Sequence, residues 1–136
     1  MKYDIKLLML VFLISSTVIY NSLGAIDELT LDQLRTVVNL KQSLANQDSK
    51  EKVKLVWVLR DFALQLINKN GREMSSNDYL EQCLEEVQSS NSDIKKKNEI
   101  RRAIKETFEK RFCYTLVRPT IKEEDLRNLD QCRLRT

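Results

Sequence analysis

An arginine and an aspartate that end an apolar run are the residues best placed to do chemistry. Arg60 and Asp61 directly follow residues 56–59, whose sequence is Val-Trp-Val-Leu. A run that stops at a charged pair is typical of a buried parallel strand reaching the carboxyl edge of its sheet, where open α/β sheets bind ligands. An ionised carboxylate only accepts hydrogen bonds, so Asp61 matches the N1–H and amino donors of guanine better than it matches adenine. The alternative from position alone is an ordinary loop or helix-capping aspartate.

The chain lacks the usual devices for holding phosphates or metals. A loop of the G-x-x-x-x-G-K-[ST] type needs two glycines five positions apart, whereas the only glycines are Gly24 and Gly71. Histidine is absent, which excludes an imidazole base or a histidine-rich metal site. Cys83, Cys113 and Cys132 are odd in number and have no C-x-x-C spacing, which favours reduced, cytosolic thiols. We therefore predict neither catalytic residues nor metal ligands in this chain.

The charge pattern does not indicate a nucleic-acid partner. The 136 residues suffice for at most one ordinary domain, and 23 basic residues are interspersed with 20 acidic ones for a net charge of +3. Lys95–Lys97, Arg101 and Arg102 form a basic cluster, but glutamates are interleaved with it, which favours a solvated, salt-bridged helix face. A non-catalytic interaction module that uses the charged helix Asp93–Lys110 remains an alternative function.

The amino terminus allows two interpretations. Residues 1–25 combine a positive start, an apolar core and a small-residue end, as a secretory signal does. On that interpretation the protein is a secreted, mainly helical binding protein. Asp4 in the positive region and the strand-like segment Thr17–Asn21 favour the other interpretation, a buried helix over Tyr3–Ile14 that runs into a buried strand. The uninterrupted apolar stretch falls short of the roughly 18 residues that a membrane span needs.

The remaining chain alternates between helical and strand patterns. Apolar periodicity predicts strands over Thr17–Asn21, Val53–Leu59 and Phe112–Val117, and helices over Asp27–Leu44, Ser75–Val87, Asp93–Lys110 and Glu123–Arg135. Strands separated by helices imply right-handed crossovers and a parallel sheet. The predicted fold class is therefore α/β, with a partial parallel sheet of about three strands flanked by helices.

Five segments, in order, resemble the carboxyl-terminal half of the GTPase domain (G domain) of large GTPases of the guanylate-binding protein and atlastin type, in the dynamin superfamily. The segments are Ser15–Gly24 (SSTVIYNSLG), Leu31–Leu34 (LDQL), Val56–Phe62 (VWVLRDF), Asp78–Glu81 (DYLE) and Arg111–Pro119 (RFCYTLVRP). The resemblance spans about residues 4 to 131, and five matches in the right order make it specific. Residues 1–136 are thus interpreted as a partial G domain of P-loop-GTPase type without its phosphate-loop and switch half. One departure is Val58, where the family usually has threonine.

The resemblance implies a role for three residues. Asp61 matches the family's guanine-reading aspartate, and Arg60 matches the arginine that replaces the Asn-Lys pair of small GTPases. Arg118 matches the arginine that opens the guanine cap, through which such domains form homodimers. The family binds and hydrolyses GTP with Mg²⁺, and many members associate with membranes. The resemblance therefore implies a guanine nucleotide as ligand, a cytoplasmic location and membrane association through regions outside this chain.

The resemblance also implies what this polypeptide alone does not do. The phosphate loop, the first switch threonine and the metal-linked Asp-x-x-Gly lie upstream of the matching region. Phosphoryl transfer is mostly positioning and electrostatic stabilisation by those parts. We therefore expect that the isolated chain does not hydrolyse GTP at a useful rate. A half-sheet with an unpaired edge is also expected to be of doubtful stability on its own.

Overall fold

A computed structural model describes residues 10, 14–44, 53–68 and 70–127 of the chain. Its elements are β1 (Thr17–Leu23), α1 (Glu28–Leu44), β2 (Lys54–Arg60), α2 (Ser76–Cys83), α3 (Ser92–Thr107), β3 (Arg111–Leu116) and α4 (Glu123–Arg127). The predicted alternation of strands and helices is confirmed in this order. Most of the predicted helix Tyr3–Ile14, and the tail beyond Arg127, lie outside the described residues.

The three strands form one parallel sheet in the order β1-β2-β3. In its register Ile19 lies opposite Val56, which in turn lies opposite Phe112. Because side chains alternate across a strand, every second residue of β2 points into the core, and Leu55, Trp57 and Leu59 are fully buried. The α/β prediction with a parallel sheet of about three strands is confirmed.

Helices α1 and α3 pack against each other, and the core forms against β2. The apolar residues Leu31, Leu34 and Val38, whose spacing predicts the helix over Asp27–Leu44, form one stripe of α1 and are buried. Trp57 is enclosed by a hydrogen bond from its indole Nε1 to Ser22 Oγ at 2.8 Å and by the ring of Tyr20 at 5.1 Å in an edge-to-face arrangement. Trp57 is thus a core residue, as is expected of a large aromatic side chain inside an apolar run.

Two helices end earlier than predicted. Helix α2 ends at Cys83 rather than Val87, because the peptide groups of Val87 bind the side-chain amide of Asn98 instead. Asn98 Oδ1 accepts from the Val87 N–H at 3.0 Å, and Asn98 Nδ2 donates to the Val87 carbonyl at 2.8 Å. Helix α3 ends at Thr107 rather than Lys110, since the buried Phe108 takes an extended conformation that leads into β3.

The two outer strands present different edges. On β3, the Ser76 hydroxyl donates to the Cys113 carbonyl and the Asn77 side-chain oxygen accepts from the Cys113 N–H, both at 2.7 Å. The first residues of α2 thus occupy this edge as a neighbouring strand would. Among the described residues no strand pairs with the outer edge of β1. The sheet face opposite the helices carries exposed apolar side chains, including those of Ile19 and Tyr114.

Candidate functional site at the carboxyl edge of the sheet

Asp61 is the first residue after β2, and its backbone is unusual. Its side chain is exposed and its φ is +53°, in the left-handed region. It is the one residue other than glycine with positive φ in the described part of the chain. Aspartate tolerates this region better than most residues, because its short polar side chain can hydrogen-bond locally. The sequence predicted a strand that ends at Leu59, and the strand runs one residue further, to Arg60, so that Asp61 lies at its carboxyl end.

The chain on both sides of Asp61 is tied to the neighbouring strands. The Gly24 N–H donates to the Arg60 carbonyl at 2.7 Å, and the Phe62 N–H donates to the Leu116 carbonyl at 2.9 Å. Gly24 itself has φ +69°, which a glycine adopts without steric cost. The ends of β1 and β3 therefore bracket Asp61 and hold its backbone in place.

Arg60 is adjacent to Asp61 in sequence but is engaged elsewhere. Its side chain belongs to the open face of β2, opposite the buried Leu59. Arg60 Nε donates to Asn21 Oδ1 on β1 at 2.8 Å. Asn21 has no such role that the sequence alone would indicate, because a contact between residues 39 positions apart depends on the strand register.

Arg118 lies just beyond β3, two residues after the carbonyl that binds Phe62. It is exposed, and its guanidinium forms an ion pair with Glu123 at the start of α4. The structure therefore brings Arg60, Asp61 and Arg118 to one edge of the sheet. The ion pair with Glu123 directs the charge of Arg118 towards α4.

Tyr79 of α2 contacts two segments that follow strands at this edge of the sheet. The Ile26 N–H donates to the Tyr79 hydroxyl at 3.2 Å, and the Tyr79 ring meets the Phe62 ring edge to face at 5.5 Å. Burial raises the pKa of Tyr79 to about 12, and the neighbouring Cys83 thiol, which is hydrogen-bonded to its hydroxyl, also raises it. Burial likewise raises the pKa of Cys83. Tyr79 lies inside the predicted helix Ser75–Val87, but neither of these contacts has a signal in the sequence.

Hydrogen bonds at the first turn of α2 and from its side to β3 hold the helix, and with it Tyr79, in position. Ser75 and Asp78 form a capping box: Ser75 Oγ accepts from the Asp78 N–H at 3.1 Å, and Asp78 Oδ2 accepts from the Ser75 N–H at 3.2 Å. These hydrogen bonds, above all the one from the Ser75 hydroxyl, lower the pKa of Asp78. Arg111 of β3 makes two hydrogen bonds to Glu81, at 2.8 and 3.0 Å.

The chemistry available at this edge is hydrogen-bond acceptance. Within the described ranges, no three or more histidine, cysteine or acidic side chains lie together as a metal site of protein ligands would require. None of the helices in the described part of the chain is both long enough and apolar enough to cross a membrane. The carboxylate of Asp61, at a turn that both neighbouring strands hold in place, can accept hydrogen bonds from the donor edge of a base.

The structure bears on both alternative functions, the secreted protein cleaved after Ala25 and the interaction module on the charged helix. Cleavage after Ala25 would remove all of β1, which pairs with β2 along its full length. For the interaction module, Arg101 is buried rather than solvated, since it pairs with Glu28 and donates to the Cys83 carbonyl at 3.1 Å. The prediction that Arg101 belongs to a solvated helix face is therefore wrong. Neighbouring Arg102 is exposed and binds Glu86, as that prediction requires.

Comparison with known proteins identifies the family. A family model described as the guanylate-binding protein, N-terminal domain, matches residues 1–136. The chain is 35% identical to guanylate-binding protein 3 of Mus musculus over 132 residues, which cover 88% of this chain and 21% of that protein. It is 33% identical to guanylate-binding protein 2 of Mus musculus, with 90% and 25% covered, and 32% identical to guanylate-binding protein 6 of Homo sapiens, with 96% and 22% covered. It thus spans about a fifth to a quarter of the length of these relatives. The resemblance noted in the sequence is confirmed, and the chain belongs to the guanylate-binding protein family of dynamin-superfamily large GTPases.

Proposed function

We propose that this chain is the guanine-recognising part of a GTP-binding domain, with Asp61 as the acceptor that reads the base. The observation that carries the proposal is the left-handed turn at Asp61, held by hydrogen bonds from Gly24 and to Leu116. A residue in a sparsely populated conformation costs about 1–3 kcal/mol and persists where the surroundings hold it, which is typical of functional sites. The membership in a family of guanylate-binding proteins supports guanine as the base.

Arg60 and Arg118 have supporting roles in this proposal. Arg60, bound by Asn21, places positive charge on the open face beside the turn. Arg118 begins the segment that would close over the base, and its ion pair with Glu123 holds that segment near α4. Pairing of two G domains through this segment is part of the same proposal, as are a cytoplasmic location and membrane association through regions outside this chain.

The proposal assigns no hydrolysis to these 136 residues. The magnesium ligands and the phosphate contacts of a GTP-hydrolysing domain would come from polypeptide outside the chain. The chain alone is thus expected to bind the base weakly and selectively, and not to turn over GTP.

The test is a titration of the ¹⁵N-labelled 136-residue chain with GMP, AMP and xanthosine monophosphate (XMP), followed by two-dimensional NMR. GMP should shift the amide signals of Gly24, Asp61 and Phe62 at lower concentration than AMP does. In Asp61→Asn the side-chain amide can donate to the xanthine C2 carbonyl, so the preference should move from GMP to XMP. A charge-assisted hydrogen bond of about 1.5–3 kcal/mol implies a loss of GMP affinity of roughly tenfold to a hundredfold.

The matched control is Glu99→Gln, which removes one negative charge from the exposed middle of α3. It should leave the order GMP before AMP unchanged. The proposal is wrong if GMP and AMP shift the same signals at the same concentration, or if Asp61→Asn retains the preference for GMP.

A further inference from the structure

Tyr79 contacts both segments that flank the turn at Asp61. Its hydroxyl accepts the Ile26 N–H at 3.2 Å, and its ring packs on Phe62 at 5.5 Å with an interplanar angle of 70°. Ile26 follows β1 by three residues, whereas Phe62 follows Asp61 directly. One side chain of α2 therefore links the turn after β1 to the turn after β2.

The hydroxyl is the group that holds the turn after β1. Ile26 is buried, and a buried peptide N–H that loses its acceptor must find another or reach water. Without the Tyr79 hydroxyl, the turn loses this anchor and is free to move until the Ile26 N–H meets another acceptor or water. Gly24 lies two residues earlier in the same turn and donates to the Arg60 carbonyl, so such a movement is passed to the peptide that precedes Asp61.

The ring holds the other side of the turn. Phe62 is 6% exposed, and its N–H is bound to the Leu116 carbonyl at 2.9 Å. Its ring has Tyr79 as an edge-to-face partner, an arrangement that adds to the stabilisation from burial. Asp61 is thus fixed from the Arg60 side by the hydroxyl of Tyr79, acting through the turn after β1, and from the Phe62 side by its ring.

We propose that Tyr79 is a positioning residue for base recognition, which sets the preference of Asp61 for guanine over adenine. The proposal rests on the proposed role of Asp61. A carboxylate that accepts two donors of one base edge must keep its direction, since hydrogen bonds weaken steeply as their angles degrade. Adenine does not offer this pair of donors, so a displaced Asp61 lowers GMP affinity more than AMP affinity.

The test variant is Tyr79→Phe, which removes the hydroxyl and keeps a ring against Phe62. Its matched control is Tyr20→Phe: Tyr20 is also half-buried and also meets a core aromatic ring edge to face, that of Trp57. The Tyr20 hydroxyl, however, donates to the Gln33 side chain at an exposed site, where water can replace the contact. The two variants lose the same atom, and only one of them frees the turn after β1.

The measurements are made on the 136-residue chain. Amide hydrogen exchange at Gly24 and Ile26 should accelerate in Tyr79→Phe and not in Tyr20→Phe. GMP affinity should fall roughly two- to tenfold in Tyr79→Phe, the range of one neutral hydrogen bond, with a smaller change for AMP. A purely structural role would lower stability without changing the ratio of GMP to AMP affinity.

The outcomes separate this inference from the proposed function. If Asp61→Asn abolishes the GMP preference and Tyr79→Phe leaves the ratio of GMP to AMP affinity unchanged, Tyr79 does not position Asp61. If Asp61→Asn leaves the ratio unchanged, the proposed function itself is wrong. Fast amide hydrogen exchange at Ile26 in the wild-type chain would show that its N–H is not bound to the Tyr79 hydroxyl, which would refute the inference. If Tyr79→Phe does not fold, Phe62→Leu, which keeps the hydroxyl and removes the ring pair, must lower the ratio, and an unchanged ratio refutes the inference.

Discussion

The left-handed backbone of Asp61 leads to a prediction that separates backbone strain from base recognition. At φ +53° a β-branched side chain is a steric outlier, whereas glycine adopts this conformation freely and asparagine tolerates it. A left-handed residue costs roughly 1–2 kcal/mol, so Asp61→Val should lower the free energy of unfolding by about that amount. Asp61→Asn should change it by less than about 0.5 kcal/mol. Asp61→Gly should change it by less than about 1 kcal/mol, because relief of strain is offset by glycine's greater loss of backbone entropy on folding, about 0.5–1 kcal/mol.

The assay is urea unfolding followed by the fluorescence of Trp57, the single tryptophan, which is fully buried. Asp32→Val is the control, because Asp32 lies in α1 and aspartate and valine have similar helix propensities. Its exposed ion pair with Arg35, at 3.6 Å, contributes about 0.3–0.5 kcal/mol at most. If Asp61→Val costs no more than Asp32→Val, the left-handed turn carries no strain and the reasoning fails. Asp61→Gly should keep the fold and lose the GMP preference, which shows that the carboxylate and not the turn alone reads the base.

Three further predictions concern the core and the titrating groups, all measured on the free energy of unfolding unless stated. Leu34→Ala should cost about 2–5 kcal/mol because Leu34 is fully buried, and Leu29→Ala on the same helix should cost less than about 0.5 kcal/mol because Leu29 is 68% exposed. The pKa values of Asp27 and Asp78 are lowered from 3.8, first by a side-chain hydroxyl hydrogen bond in each case. A carboxyl whose pKa is lower in the folded than in the unfolded protein stabilises the fold at pH values above the unfolded pKa. The free energy of unfolding should therefore fall as the pH drops below 3.8, and a free energy that does not change with pH in this range would contradict the prediction. Burial raises the pKa of the Cys113 thiol from 9.0 to about 11. The contribution of the buried thiol to the stability of the fold is therefore complete below pH 9.0 and is lost as the pH rises towards 11. Because the thiol is buried, mass spectrometry should show alkylation of Cys113 only after unfolding.

The parts of the fold that local periodicity determines could be predicted. The apolar run of β2 correctly indicated a buried strand with Trp57 in the core, and the helical stripe of α1 correctly assigned Leu34 and Val38 to the core. The end of α2 could not be predicted in the same way. The apolar pattern extends to Val87, but the chain leaves the helix earlier because Asn98, on the next helix, binds the Val87 peptide groups. A contact between two helices has no signal in the periodicity of either one.

In the candidate site, too, features that depend on local sequence patterns could be predicted and long-range contacts could not. A strand that ends at a charged pair was sufficient to place Arg60 and Asp61 at the carboxyl edge. The contact between Arg60 and Asn21 needs the register of two strands, and the contacts of Tyr79 need the position of α2 under two turns. Tyr79 stood inside a segment that resembles the family, so the sequence marked its neighbourhood without indicating what the side chain does.

The hydrogen bond from Gly24, at the end of β1, to Arg60 is one of those that hold the turn at Asp61. The two interpretations of the amino terminus are therefore mutually exclusive, because only one of them keeps β1 in the protein. A chain cut after Ala25 would lose the Gly24 donor to Arg60 and the Ser22 acceptor of the Trp57 indole. The polar groups left behind at the end of β2 would then lack partners, and the turn at Asp61 would be bracketed on the β3 side alone. A secreted, processed product could therefore not be a base-reading protein of the kind proposed. Mass spectrometry of the natural protein is decisive, because a mature chain that begins at Ile26 would refute base recognition by Asp61 as well as the location in the cytoplasm.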